Sequence, residues 1–260
     1  MTIKIAVHGA LGRMGQRVAA LALEQGHNVT SAIATKHHGE ILSSVTGDRA
    51  QSAKLAVRYK GGADVMIDFS LPAGFSGALA SCVEQGTAFV SGTTGLSDAD
   101  FKLLDEAATK IPVIWSPNYS LGVNMLFALA KQTAKALPDS FDIEIIEMHH
   151  RRKVDAPSGT AIGLLNSICE GNGRDAGEVV KHGREGVTGE RTVQEIGMHT
   201  MRGGSVVGDH KAVFAAEGER LELTHRAESR DIFASGAIAA AAWLSGKPAG
   251  RYEMRDVLGL

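Results

Sequence analysis

The chain has 260 residues, 44% hydrophobic and 22% charged, with a formal net charge of −2. That is enough apolar chain for one large core or two ordinary ones, and the lack of a basic excess argues against nucleic acid as a partner. Two cysteines without a pairing framework fit a reducing compartment. With no run of membrane-spanning length and no signal-like start, the expected setting is cytoplasmic, with no membrane partner.

Residues 2–7 read as a buried strand, followed at once by His8-Gly9-Ala10-Leu11-Gly12-Arg13-Met14-Gly15 and a helix through Leu23. Strand, glycine-rich turn and helix form the context of dinucleotide binding. Gly9 permits the tight turn, Gly12 lets backbone approach a pyrophosphate, and Gly15 allows close helix packing. The second strand, 27–34, ends about 20 residues past the loop, where ribose selection is expected. An NAD-selective site would place Asp or Glu there. This chain has Thr35-Lys36-His37-His38, with a cation ready for a 2′-phosphate, so NADPH is the expected cofactor and NADH a possible second one.

A weaker strand at 54–59 and a strong one at 63–69 follow, then a helix over 74–85. A buried strand at 88–91 ends in Gly92-Thr93-Thr94-Gly95. Ser97 and Asp100 form a capping box for a helix through Lys110, and 112–115 is the next strand, closed by Ser116-Pro117-Asn118-Tyr119. Strands alternating with helices to this point predict a doubly wound parallel sheet. Gly92 and its threonines stand at a strand's C-terminal end, where open α/β sheets bind ligands.

After a long amphipathic helix over 120–137 the pattern changes. Residues 141–148 read as a strand, 158–170 as a helix, and 171–189 as a polar, glycine-rich stretch without apolar periodicity. Strands are expected at 193–201, 205–215 and 220–225, the last two as a hairpin around Glu217-Gly218-Glu219. An alanine-rich helix over 231–244 stops at Gly246 and Pro248 and suits packing against the first sheet. The fold class is therefore α/β: an N-terminal Rossmann-type sheet over 1–119 and 230–260, with an inserted α+β domain over 120–229 carrying an open mixed sheet. That open sheet is a surface for self-association.

Residues 147–161, EMHHRRKVDAPSGTA, set His149 and His150 beside Arg151, Arg152 and Lys153 and run into Ser158-Gly159-Thr160 at a helix start. Cations next to a helix N-terminus suit a small polyanion, and imidazoles beside it can move protons near neutral pH. A solvated basic loop, a nucleic-acid patch and a metal-binding histidine pair are the alternatives. Adjacent residues on an extended segment point to opposite sides, so His149 and His150 alone make a poor chelate, and no metal is expected.

GxxGRMG at 9–15, GTTG at 92–95, PNYSLGVN at 117–124 and HHRRKVDAPSGTA at 149–161 recur in this order in one enzyme family, and the tail motifs WLSGKPAG and YEMRDVL also fit it. The chain resembles, over its whole length, the 4-hydroxy-tetrahydrodipicolinate reductases, also called dihydrodipicolinate reductases. The resemblance implies reduction of a cyclic imine-type dicarboxylate by NADPH or NADH, with loss of water from the 4-hydroxy form, in the diaminopimelate route to lysine. It implies His149 as proton donor, Lys153 as second catalytic cation and substrate contact, and substrate contacts at His150, Ser158, Gly159 and Thr160. Cofactor contacts fall on Gly9, Ala10, Leu11, Gly12, Arg13, Met14, Thr35, Lys36, Gly92, Thr93, Thr94, Ser116, Pro117, Asn118, Tyr119, Arg230 and Phe233. A homotetramer built on the second-domain sheet, and domain closure about 120–122 and near Arg230, are also implied. Arg152 stands where many relatives carry a third histidine, and Leu71 where some carry arginine.

Two other readings use the same residues. An aspartate-semialdehyde or homoserine-type dehydrogenase shares the nucleotide loop, but the semialdehyde chemistry needs a loop cysteine nucleophile, and Cys82 and Cys169 fall in helical patterns. A nucleotide-sensing regulator explains the glycine loop but gives no reason for paired histidines beside cations.

Overall fold

The structure is a computed structural model and describes residues 1–46 and 52–260. The chain separates into two compact units, Met1–Leu121 with Asp231–Leu260, and Gly122–Arg230.

The first unit opens with β1 (Lys4–His8), α1 (Arg13–Glu24), β2 (Asn28–Ile33), the short α2 (Leu42–Thr46) and β3 (Leu55–Ala56). It continues through β4 (Val65–Asp68), α3 (Pro72–Gln85), β5 (Ala88–Ser91), α4 (Asp98–Ala108) and β6 (Pro112–Trp115) into α5 (Leu121–Ala136), whose body belongs to the second unit. The strands form one sheet in which every pairing is parallel. Its order is β12-β6-β5-β4-β1-β2-β3, where β12 (Gly250–Tyr252) comes from the C-terminal tail after α8 (Asp231–Leu244).

Buried strands such as Val65–Asp68 carry apolar residues on both faces because helices cover both. One core packs Val18, Ala19 and Ala22 of α1 and Ala237, Ile238 and Ala241 of α8 on one side. Phe75 and Leu79 of α3 and Leu104 of α4 pack on the other. The strand order reverses between β1 and β4, so the crevice for a ligand lies beyond the C-terminal ends of those two strands. The expected capping box is present: Ser97 Oγ accepts the Asp100 N–H at 3.3 Å, and Asp100 Oδ2 accepts the Ser97 N–H at 2.9 Å.

The second unit contains β7 (Asp142–His149), α6 (Gly159–Asn172), α7 (Ala176–Val179), β8 (Val180–His182), β9 (Ile196–Arg202), β10 (Gly208–Ala216) and β11 (Glu219–Ala227). The sheet runs β11-β10-β7-β9-β8, antiparallel across β11, β10 and β7 and parallel across β7, β9 and β8. Leu126 and Ala130 of α5 and Leu164, Leu165 and Ile168 of α6 cover one face, against Ile143, Ile145, Met198, Ala212 and Phe214. A Cβ on Gly163 would stand 2.9 Å from the Phe127 ring, so glycine is what lets α5 and α6 approach. The helix α9 (Met254–Leu258) belongs to the first unit.

Several boundaries differ from expectation. The polar stretch 171–189 holds α7, capped by Asp175 through the N–H groups of Gly177 and Glu178, and then β8. The strand expected at 54–59 shrinks to Leu55–Ala56, and the one expected from 193 begins at Ile196. As Ser70–Pro72 suggests, α3 starts at Pro72, because proline at a helix N1 position already has the required φ and no N–H to satisfy. The tail strand β12 and α2 lacked an apolar period of useful length.

Candidate functional site

In the first unit, the ends of β1, β2, β4 and β5 build a cradle. Gly9 has φ +76°, and a Cβ there would lie 2.6 Å from the Phe69 carbonyl oxygen, so the turn requires glycine. A Cβ on Gly15 would run into the Gly9 carbonyl oxygen, which is the close helix approach expected of that position. The Gly9 and Ala10 N–H groups both donate to the Ile33 carbonyl, at 3.0 and 3.1 Å, tying the loop to the end of β2. Gly12 precedes α1 without a side-chain cap, and no acidic residue occupies the first turn of α1. The first-turn N–H groups of a helix have no intrahelical acceptor, so this end suits a phosphate. Leu11 and Met14 are half-buried, Arg13 is exposed, and Thr35 and Lys36 are exposed beyond β2.

Beneath this cradle lies a residue the sequence did not single out. Asp68, the last residue of β4, is completely buried. Its Oδ1 accepts from His8 Nδ1 at 2.7 Å and from the Ser70 N–H at 3.1 Å; its Oδ2 accepts from the Ser91 and Thr93 hydroxyls, both at 2.8 Å. Burial pushes the carboxyl pKa up, but the His8, Ser70 and Ser91 donors outweigh it and hold it below the usual range.

This arrangement refines the reading of the GTTG turn. The Thr93 side chain faces inward to Asp68 and its carbonyl accepts the Trp115 indole N–H at 2.8 Å, while Thr94 and Gly95 are exposed and Gly92 is half-buried. A Cβ on Gly92 would collide with the Phe69 ring. Ser116 Oγ donates to the Asn118 carbonyl at 2.8 Å, and Asn118 Oδ1 accepts the Ser120 N–H at 2.9 Å. Pro117 is exposed, whereas Tyr119 is buried, with its hydroxyl donating to the Ser91 carbonyl at 2.8 Å. A ligand contact by Tyr119 would therefore use backbone, not the phenol. Phe233 is partly buried on α8.

In the second unit, β7 alternates so that Ile143, Ile145, Glu147 and His149 face the helices. Glu147 is wholly buried and receives five bonds. His149 Nδ1 lies 2.6 Å from Oε2; Arg202 donates through Nη1 to Oε2 at 2.8 Å and through Nη2 to Oε1 at 3.0 Å. The Ser158 N–H and the Thr200 hydroxyl reach Oε1 at 3.1 and 3.2 Å. His149 is 9% exposed and meets the buried His210 ring edge-to-face at 5.1 Å. Burial, and then the neighbouring His149, push the His210 pKa down to about 4, so that ring stays neutral.

His150 turns the other way, as adjacent residues on an extended segment must. Its Nε2 accepts from Arg230 Nη2 at 3.2 Å. Burial, then the charges of Arg230 and Arg152, lower its pKa. Arg230, expected at the cofactor, stands within this unit against His150. Lys153 Nζ bonds both Asp155 oxygens, at 2.8 and 2.7 Å, so an incoming carboxylate shares this cation with an exposed acid. Ser158 serves α6 itself: its Oγ caps the Ala161 N–H at 3.1 Å and meets His210 Nε2 at 3.0 Å, while its N–H is held by Glu147. Gly159 and Thr160 open the fourteen-residue α6 at its positive end. Arg151 and Arg152 are exposed.

Sequence reasoning gave no role to Asp68, Glu147, Arg202 or His210. Two signals existed. Asp68 ends an otherwise apolar strand, and Glu147 falls on the buried side of an alternating one.

A cavity of about 550 Å³ elsewhere in this unit is lined by Pro157, His182, Arg184, His199 and Thr200. Arg184 there is already matched by Glu144 and Glu195, and His199 bonds Glu144, so it offers an anion less than the His149 segment does. No helix among the described residues is long and apolar enough to cross a membrane.

Residues 3–119 match the family model described as dihydrodipicolinate reductase, N-terminus, and residues 122–258 match dihydrodipicolinate reductase, C-terminus. The 4-hydroxy-tetrahydrodipicolinate reductase of Alkalilimnicola ehrlichii is 46% identical over 268 residues, covering 100% of both chains. That of Magnetococcus marinus is 46% identical over 267 residues, covering 100% of this chain and 99% of its own. Among solved structures, a dipicolinate-bound dihydrodipicolinate reductase from Paenisporosarcina sp. TG-14 superposes with a TM-score of 0.77 at 25% identity, covering 97% of this chain and 98% of its own. With a glycine cradle fitted to a pyridine dinucleotide in one unit and an imidazole among cations in the other, the chain belongs to the dihydrodipicolinate reductase family of oxidoreductases.

Proposed function

We propose that this protein reduces 4-hydroxy-tetrahydrodipicolinate to tetrahydrodipicolinate with loss of water, as a step of the diaminopimelate route to lysine. The observation that carries this reading is the His149 imidazole, held by a buried carboxylate beside Lys153 and the start of α6. The dicarboxylate ligand of the TG-14 relative is of the chemical kind such a site would take.

Gly9, Ala10, Leu11, Gly12, Arg13 and Met14 would hold the pyrophosphate, and Gly92 and Thr94 the nicotinamide side. When bound, the reduced nicotinamide supplies a hydride. NADPH is the preferred cofactor in this proposal, because Lys36 follows β2 where an acidic residue would select the ribose diol, and NADH is a weaker second.

On the substrate side, Gly159 and Thr160 at the α6 N-terminus take one ring carboxylate. Lys153 and His150 orient the ring, and Lys153 offsets the negative charge that develops as it is reduced; preorganised charge of this kind is often the largest catalytic term. His149 delivers a proton to the ring carbon next to the one reduced. His210 stays neutral and leaves that transfer to His149.

A coupled assay tests the reading. Purified protein is given the condensation product of pyruvate and aspartate semialdehyde with NADPH or NADH. The expected result is loss of reduced-nicotinamide absorbance, faster with NADPH; no turnover with either cofactor removes the assignment. The proposal includes a homotetramer formed through the uncovered face of the second sheet, where Ile146, Met148, Met201 and Val213 lie. Sedimentation analysis should give four chains per particle, and a monomer would refute it.

A further inference from the structure

We propose that Glu147 is a positioning residue that fixes His149 as the tautomer protonated on Nδ1, so that Nε2 is the nitrogen that exchanges a proton with substrate, and that Gly208 keeps the approach to Nε2 open. This deepens the assignment of His149 as proton donor and rests on it.

Donors surround the Glu147 carboxyl. Arg202 grips both oxygens, the Ser158 N–H and Thr200 hydroxyl add two more bonds, and no part of the carboxyl reaches solvent. Burial alone would favour the neutral acid; the Arg202 and His149 donors outweigh it and keep the carboxyl pKa below its ordinary value. An ionised carboxylate can only accept. The 2.6 Å contact therefore requires a proton on His149 Nδ1 whether the ring is charged or neutral. In the neutral ring the lone pair is then on Nε2.

The surroundings of Nε2 agree. It faces the Cα of Gly208, where an added Cβ would stand 3.0 Å from Nε2 and 3.4 Å from Cδ2. The backbone of Gly208 lies in β10 and does not need glycine for its φ. The space beside the ring nitrogen is what the missing side chain supplies. The titratable and charged groups around His149 are Glu147 on its own strand, His150 and Lys153 in the following turn, Arg202 from β9 and His210 from β10. Glu147 is the anion in hydrogen-bond contact, so it alone stabilises the imidazolium directly. His210, with Nε2 on Ser158, limits the ring's swing from the other side.

Ring-¹⁵N-labelled protein tests this independently of turnover. Two-bond ¹H–¹⁵N spectra, with His149 assigned by its loss in His149→Gln, should show neutral His149 protonated at Nδ1 and bare at Nε2. A neutral His149 ring in the wild-type protein with its proton on Nε2 and Nδ1 bare overturns the proposal, even if no Glu147 variant folds. In Glu147→Gln the neutral ring should lose its fixed Nδ1 tautomer and kcat should fall at least about ten-fold, with KM little changed. Glu147→Asp should restore the Nδ1 tautomer while kcat stays reduced. NADPH affinity should be unchanged in both; a retained Nδ1 tautomer with wild-type kcat in Glu147→Gln overturns the positioning role. Gly208→Ala should keep the Nδ1 tautomer and lower kcat at least about ten-fold, and wild-type kcat would refute the opening. Should the hydroxy-tetrahydrodipicolinate assay itself show no turnover, the reaction assignment falls while the tautomer measurement still decides the state of His149.

Discussion

Each unit of this chain buries one carboxylate against one imidazole, and the two pairs look alike at first. Asp68 and His8 meet at 2.7 Å, Glu147 and His149 at 2.6 Å, and both acids are fully buried. Exposure does not separate them either, since the His8 and His149 side chains are 15% and 11% accessible. What differs is the remaining company. Asp68 is completed by neutral donors, the hydroxyls of Ser91 and Thr93 and the N–H of Ser70, all at or just past strand ends. It binds together the segments that frame the nucleotide cradle. Glu147 is completed by a guanidinium, and its histidine stands among Lys153, His150 and the start of α6. The first pair, among neutral donors, is a structural clamp; the second, among cations, is the one the proposed function uses for proton transfer.

Four changes would break or sharpen that contrast. The largest effect is expected from Lys153→Met, which removes the cation proposed to act with His149: kcat/KM should fall about 100-fold or more with NADPH binding intact, as read by initial rates and nucleotide titration. His210 comes next. Its folded pKa of about 4 lies below the ordinary value of 6.5, so the unfolded chain takes up this proton first as pH falls. The contribution of the neutral ring is therefore complete above pH 6.5 and is lost towards pH 4, amounting to roughly 3 kcal/mol. Denaturation of His210→Gln across that range should show a flatter dependence than wild type. Asp68→Asn should cost about 2 kcal/mol, as a lower denaturation midpoint, because donors gathered around a carboxylate lose their acceptor charge. It should also raise KM for the nucleotide while sparing kcat. Lys36→Glu should have the smallest effect, shifting the NADPH-to-NADH preference by roughly ten-fold, or about 1.4 kcal/mol; an unchanged ratio would remove Lys36 from phosphate recognition.

What could be read before folding followed from local physics. The loop at Gly9 and Gly15 was legible because a positive φ and a carbonyl in van der Waals range leave glycine as the only choice. The alternating βα pattern gave the parallel sheet, and the alternation from Asp142 to His149 put the two histidines on opposite sides. The short elements were not legible. β3 has two residues and β8 three, and their pairing with β2 and β9 decides them, not their own composition. The roles of Asp68 and Glu147 were hidden for a related reason. Thr93 lies 25 residues from Asp68, and Arg202 lies 55 residues from Glu147, so no spacing rule connects them. The role of His149 came from family resemblance, and its tautomer only from three-dimensional geometry.

The most direct test of this account compares His149→Gln with His8→Gln in the same reductase assay, alongside NADPH titrations of both proteins. His149→Gln should lose at least about 100-fold in kcat and bind NADPH normally. His8→Gln should keep kcat within about ten-fold of wild type and show its loss in nucleotide KM. Normal turnover by His149→Gln, or a comparable kcat collapse in His8→Gln with normal nucleotide affinity, would contradict the division of labour between the two pairs.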